Sequence, residues 1–198
     1  IGLHPSRKSH KSERALKWEK NRLLSSLDMP DTNLGVRNHY LKTYFPDTWL
    51  IQEQIGIRYD SSVGFRDRPG FAAGTCRPYQ PFDLTTNRLI DIWELPLCLM
   101  DGTITGNSNE IVNACIKIAE ECFKHEGVFV LLWHTNRFHH SEYPQHSKAY
   151  PRILEYFSSR GCIGLTGGEI INQYKQYSEN MRRFIKTDER NYKSLSLT

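Results

Sequence analysis

Gly127-Val128-Phe129-Val130-Leu131-Leu132-Trp133-His134 is an unbroken apolar run that ends on an imidazole. It lacks the two-residue alternation of a half-solvated strand, so it predicts a parallel strand buried on both faces. Just upstream, Asn109 to Lys124 carries Ile111, Val112, Cys115, Ile118, Ala119, Cys122 and Phe123 at helical intervals, and Gly127 is the expected stop. Downstream, a loop from Thr135 to Ser147 leads to an expected helix over 148–160, a stop at Gly161, a short strand from Cys162 to Leu165 and a helix from Gly168 onward.

The same alternation extends toward the N-terminus. Ile1-Gly2-Leu3-His4 reads as the end of a strand, which suggests a chain that begins inside its domain. Ser12 is an N-cap for a helix with Leu16, Leu23, Leu24 and Leu27 on one face. Gly35 to Tyr40 is a short strand and its exit, 46–54 a helix that Gly56 stops, and Ile57 to Asp60 the next strand. Residues 61–88 have no period, and a loop of that length in a compact domain is often functional. Ile92 to Leu97 is a further strand. Strands that alternate with helices call for an α/β fold with parallel strands, either an open doubly wound sheet or a barrel. Residues 1–178 form the expected domain, and 179–198 a terminal helix and tail.

In both architectures ligands meet the C-terminal ends of the strands. His4, Arg37 with His39, Asp60 and His134 stand at those ends. His134 is the leading acid–base candidate, since an imidazole directly after a strand sits at the mouth of the fold. Asp60 could orient a neighbouring imidazole or cap a turn. Arg37 could fork onto a carboxylate or an anionic group, or be an ordinary surface residue. His4 and His10 share one loop, which invites a metal reading, although their separation is not one of the helical spacings that aim two rings at one ion. His139, His140 and His146 read as solvated loop residues.

The 26 basic and 22 acidic side chains, net +4, are mixed along the chain and give no concentrated basic stripe for nucleic acid. No window reaches the roughly 18 apolar residues of a membrane span. Cys76, Cys98, Cys115, Cys122 and Cys162 are scattered without a CxxC pair, so they read as free thiols, which leans toward a reducing, cytoplasmic compartment.

Blocks in a fixed order then point to a family: Gly2-Leu3-His4-Pro5-Ser6, Gly35-Val36-Arg37-Asn38-His39-Tyr40-Leu41, Tyr59-Asp60-Ser61-Ser62 running into Pro69-Gly70-Phe71-Ala72-Ala73-Gly74-Thr75, Glu94-Leu95-Pro96-Leu97 with Met100-Asp101, and Val130-Leu131-Leu132-Trp133-His134. Over roughly residues 1–170 the chain resembles the polysaccharide deacetylase superfamily (NodB-homology, carbohydrate esterase family 4), in a bacterial branch. The resemblance implies an incomplete, distorted (β/α) barrel whose N-terminal strand or strands lie outside this chain. It implies a hydrolase that removes an N-acetyl or O-acetyl group from a saccharide, with a divalent metal, usually zinc, polarising the carbonyl. By position His134 matches the general acid, Asp60 the carboxylate that orients it, Arg37 the residue that holds the base, and His4 the first metal ligand. His39, Tyr40, Phe71 and Trp133 are the expected saccharide-binding residues. Two positions depart from the family: the paired aspartates that supply the base would precede Ile1, and the second metal histidine is replaced by Lys8, which leaves His10 as the substitute. Two other functions remain open: a glycan-binding module of the same fold, gripping through Tyr40, Trp49, Phe71 and Tyr79, and an unrelated α/β domain acting through a protein interface.

Overall fold

Helix α1 (Glu13–Leu27) starts at Ser12, whose Oγ accepts from the Ala15 N–H at 3.3 Å, as the sequence predicts. The structure, a computed structural model, describes residues 1–28 and 34–180. Parallel ladders join β1 (Gly2–Leu3), β2 (Gly35–Val36), β3 (Tyr59–Asp60) and, after the antiparallel hairpin β4 (Phe82–Asp83) and β5 (Arg88–Leu89), β6 (Trp93–Glu94), in the order β1-β2-β3-β6. A second parallel ladder pairs β7 (Leu99–Met100) with β8 (Leu131–Leu132). The chain is therefore an α/β fold with parallel sheets, its strands linked by α1, α2 (Asp47–Gln54) and α3 (Ser108–Lys124).

Two apolar clusters hold the ladders. Leu3, Val36, Ile57 and Ile92 from the sheet side bury against Leu16 and Leu24 of α1. Leu99 packs with Ile111, Val112 and Cys115 of α3 and with Ala149 and Ile153 of α4 (Pro144–Ser159). Each fully buried aliphatic side chain contributes about 1.5–3 kcal/mol. The carboxyl ends of β1, β2 and β3 run into His4, Arg37 and Asp60 itself, and β8 runs through Trp133 into His134.

Several local expectations are corrected. Residues 128–133 are half-buried rather than buried on both faces, because among the described residues β8 has a ladder partner only in β7. The span from Cys162 to Leu165 is irregular, with no ladder partner. Helix α4 starts at Pro144, four residues before the expected start, because proline suits the first helical position. The aperiodic span 61–88 contains the first strand of a hairpin whose return strand ends it at β5. Glu126, not Gly127, takes the left-handed conformation after α3, with φ +50°. Gly127 is required by packing instead: a Cβ there would lie 2.2 Å from Cys76 Sγ. The expected boundary after residue 178 falls inside the helical residues 167–180, and 181–198 lie outside the described residues. All five cysteines are free, and among the described residues no helix is long and apolar enough to cross a membrane.

Candidate active site

Residue 101 opens a short 3₁₀ turn, Asp101–Thr103, directly after β7, and this turn lies beside the end of β8. Asp101 is wholly buried. Its Oδ2 accepts the backbone N–H of His134 at 2.7 Å, and its Oδ1 lies 2.7 Å from His134 Nδ1. Arg137 Nε approaches Oδ2 at 3.5 Å. The imidazole remains 54% exposed. With Nδ1–H donated to the carboxylate, Nε2 is the ring nitrogen left to exchange a proton with a bound molecule.

This pairing corrects the expected partner of His134. Asp60 is buried on β3 and spends its oxygens elsewhere: Gln52 Nε2 donates to Oδ2 at 3.0 Å and Ser62 Oγ donates a short bond to Oδ1. Burial pushes its carboxyl up to about 6 against the pull of those bonds and of the Arg37 charge. Its neighbour across the β3–β6 ladder is Glu94, also wholly buried, which accepts from Val63 N at 2.9 Å and Trp49 Nε1 at 3.1 Å. Burial first, and Asp60 second, raise the Glu94 carboxyl well above its ordinary range. Asp60 and Glu94 are thus a buried carboxyl pair beneath the rim, with the Arg37 charge in reach of both.

Arg37 donates through Nε to the Ser61 carbonyl at 2.9 Å and through Nη2 to Ser61 Oγ at 2.7 Å, so its fork is committed to the β3 exit. Burial lowers its pKa from the usual value while the carboxylates below oppose that. The Arg37 carbonyl meets His4 Nδ1 at 2.7 Å, and His4 Nε2 meets His39 Nδ1 at 3.0 Å. Burial lowers the His4 pKa, and the charges of His39, Arg37 and His134 push the same way. His134 therefore lies within electrostatic reach of the His4–His39 pair, across the mouth formed by the strand ends.

The two metal ligands expected from the resemblance, His4 and His10, have different hydrogen-bond partners. His10 is buried and its carbonyl accepts from Thr48 Oγ1 at 3.2 Å, in contact with neither His4 nor His39. His4 Nε2 and His39 Nδ1 lie 3.0 Å apart. Among the described residues no three His, Cys, Asp or Glu side chains form a group that could hold one.

Beside Arg37 a cavity of about 760 Å³ opens, lined by Tyr59, Ser61, Trp133, Tyr150 and Phe157 among others. No family model, curated protein or solved structure matches the chain.

Of the four residues expected to bind saccharide, Trp133 lines that cavity, with its ring 5.2 Å from Tyr150 and 5.6 Å from His146. His39 belongs to the rim through His4. Tyr40 is 61% exposed, at a left-handed φ of +58°, with its ring 4.4 Å from that of His39. Phe71 is a correction: it packs on the buried Cys76, Cys98 and Cys122 cluster, because apolar thiols and an aromatic ring exclude water together. His146, expected to be solvated, instead contacts the Asp101 carbonyl through Nε2 at 3.1 Å. The functional carboxylate that residue-by-residue reading missed is Asp101. Its signal was present in the Met100-Asp101 block, but nothing in the sequence pairs residue 101 with residue 134.

Proposed function

We propose that this chain is a hydrolase-type domain of the polysaccharide-deacetylase kind, an incomplete (β/α) barrel that removes an N-acetyl or O-acetyl group from a saccharide with His134 as the proton donor. The observation that carries the reading is an exposed imidazole whose Nδ1 is held by a buried carboxylate at the C-terminal end of a parallel strand. Water adds its oxygen to the acyl carbon, the bond from that carbon to the sugar nitrogen or oxygen breaks, and the leaving group departs with the Nε2 proton of His134. Asp101 stabilises the imidazolium before the transfer and fixes the tautomer after it. The Arg37 guanidinium supplies fixed positive charge beneath the rim, where negative charge would build on the acyl oxygen. No step is routed through a metal, since the expected ligands His4 and His10 have different hydrogen-bond partners. The proton acceptor for water is assigned by the resemblance to an aspartate of a motif that would precede Ile1.

A binding module without turnover is less well supported, since Phe71 packs against the buried cysteine cluster and Trp49 is stacked on Phe45 at 3.7 Å and bonded to Glu94. The test is release of acetate from a chitooligosaccharide and from acetylated xylan. His134→Ala should abolish release; it also strips the buried Asp101 Oδ1 of its partner, so a stability loss of about 1–3 kcal/mol is expected while the chain stays folded. Turnover retained in that variant removes His134 from the role of acid.

A further inference from the structure

A groove of about 820 Å³ runs beside the loop that follows β1 and the exit of β2. Arg7, Lys8, Lys11, Lys42 and Arg66 line it, and no carboxylate does. Among the described residues none of these five is in an ion pair; Arg7 and Lys11 instead face aromatic rings, Arg7 over Tyr40 at 5.9 Å and Lys11 over Tyr44 at 5.3 Å. Elsewhere basic side chains do find acids, as Arg88 does with Glu53 at 2.7 Å. Five like charges gathered on one concave wall repel one another and draw anions from solution. Gln or Ser in their places would line a groove without that repulsion.

The groove adjoins the candidate active site. Tyr40, which faces Arg7, lies against His39, and His39 bonds to His4. A polymer seated at the histidine rim thus has a cationic path to follow. The charge is local, since the whole chain carries only +4. Its two nearest rings, Tyr40 and Tyr44, already face the protein's own cations, and a single-stranded nucleic acid would need such rings free for its bases.

We propose that the groove is a subsite for an anionic glycan, a saccharide chain bearing carboxylates on its sugar rings, which enters the rim from the side of Arg7 and Lys8. The inference rests on the saccharide reading of the rim and names the class of chain that site accepts. Affinity electrophoresis and calorimetry of the full chain against oligogalacturonide, with neutral chitooligosaccharide as the reference, test it. Oligogalacturonide should bind at least about tenfold more tightly, a difference of about 1.4 kcal/mol. The advantage should fade as salt rises from about 0.05 to about 0.5 M. Lys8→Gln combined with Lys42→Gln and Arg66→Gln should remove the preference, and the corresponding arginine variant at positions 8 and 42 should keep it. Equal binding of the two glycans, full binding by the glutamine variant, or tighter binding of single-stranded DNA through the same residues would overturn the proposal. His134→Ala separates the two readings: it should lose acetate release and keep oligogalacturonide binding, so a failure of turnover and a failure of the glycan preference are read apart.

Discussion

Asp101 and His134 are joined twice, one carboxylate oxygen accepting the backbone N–H and the other meeting Nδ1 of the same residue, each at 2.7 Å. The double contact fixes both the position of the imidazole and its tautomer, from a residue 33 positions earlier in the chain. Asp101 is accordingly a positioning residue.

Asp101→Asn should lower acetate release by about a hundredfold or more, the scale of a lost acid–base function. Structural damage alone would not change the tautomer, so nitrogen NMR of His134 is the second readout. The ring should be protonated at Nδ1 in the parent and mixed in the variant; an unchanged tautomer would remove Asp101 from this role.

The Asp60–Glu94 pair makes stability depend on pH in an unusual direction. Both carboxyls are raised above their unfolded values, so from the ordinary carboxylate range up to about 6 for Asp60, and through the raised range of Glu94, the folded chain binds more protons than the unfolded one. Their contribution is present at low pH and is lost as pH rises. Glu94→Gln removes the second charge; its single carbonyl oxygen accepts from Val63 N–H or from Trp49 Nε1–H but not from both, because Glu94 uses a different oxygen for each. Urea unfolding from about pH 4 to about pH 8, a range that contains the raised Asp60 value of about 6, should show a smaller decline in the variant than in the parent.

Gly35 lies against the ring of Tyr59, and a Cβ there would fall 2.0 Å from it. Gly35→Ala should destabilise the chain by about 1–3 kcal/mol or more, the cost of overpacking. A midpoint in urea equal to the parent's would show that the ring moves freely.

Asn107 closes a reciprocal cap on α3: its Oδ1 accepts from Asn109 and Glu110, and Glu110 Oε2 accepts the Asn107 N–H at 2.7 Å. Asn107→Ala should cost about 1 kcal/mol in stability. Acetate release per folded molecule should stay unchanged, since no rim residue touches the cap.

Periodicity made the helices legible. Seven apolar positions identified α3 to within one residue, and Ser12 marked the start of α1. Strand ends were legible for the same reason, and they place His4, Arg37 and His134 about one mouth. What the sequence hid is pairing between distant elements. Asp60 looked like the partner of an imidazole because it ends a strand, yet Gln52 and Ser62 are nearer to it; Asp101 stood only as part of the Met100-Asp101 block, yet the β7–β8 ladder lays it against residue 134. The hairpin of β4 and β5 was invisible because its ladder is only two residues on each side, too short to show a period.

His4 and Arg37 leave one parallel ladder and His134 leaves the other. A molecule that grips both shores of this mouth would act as a staple between two separately hydrogen-bonded leaves, so occupancy should register as slower amide exchange in both leaves at once.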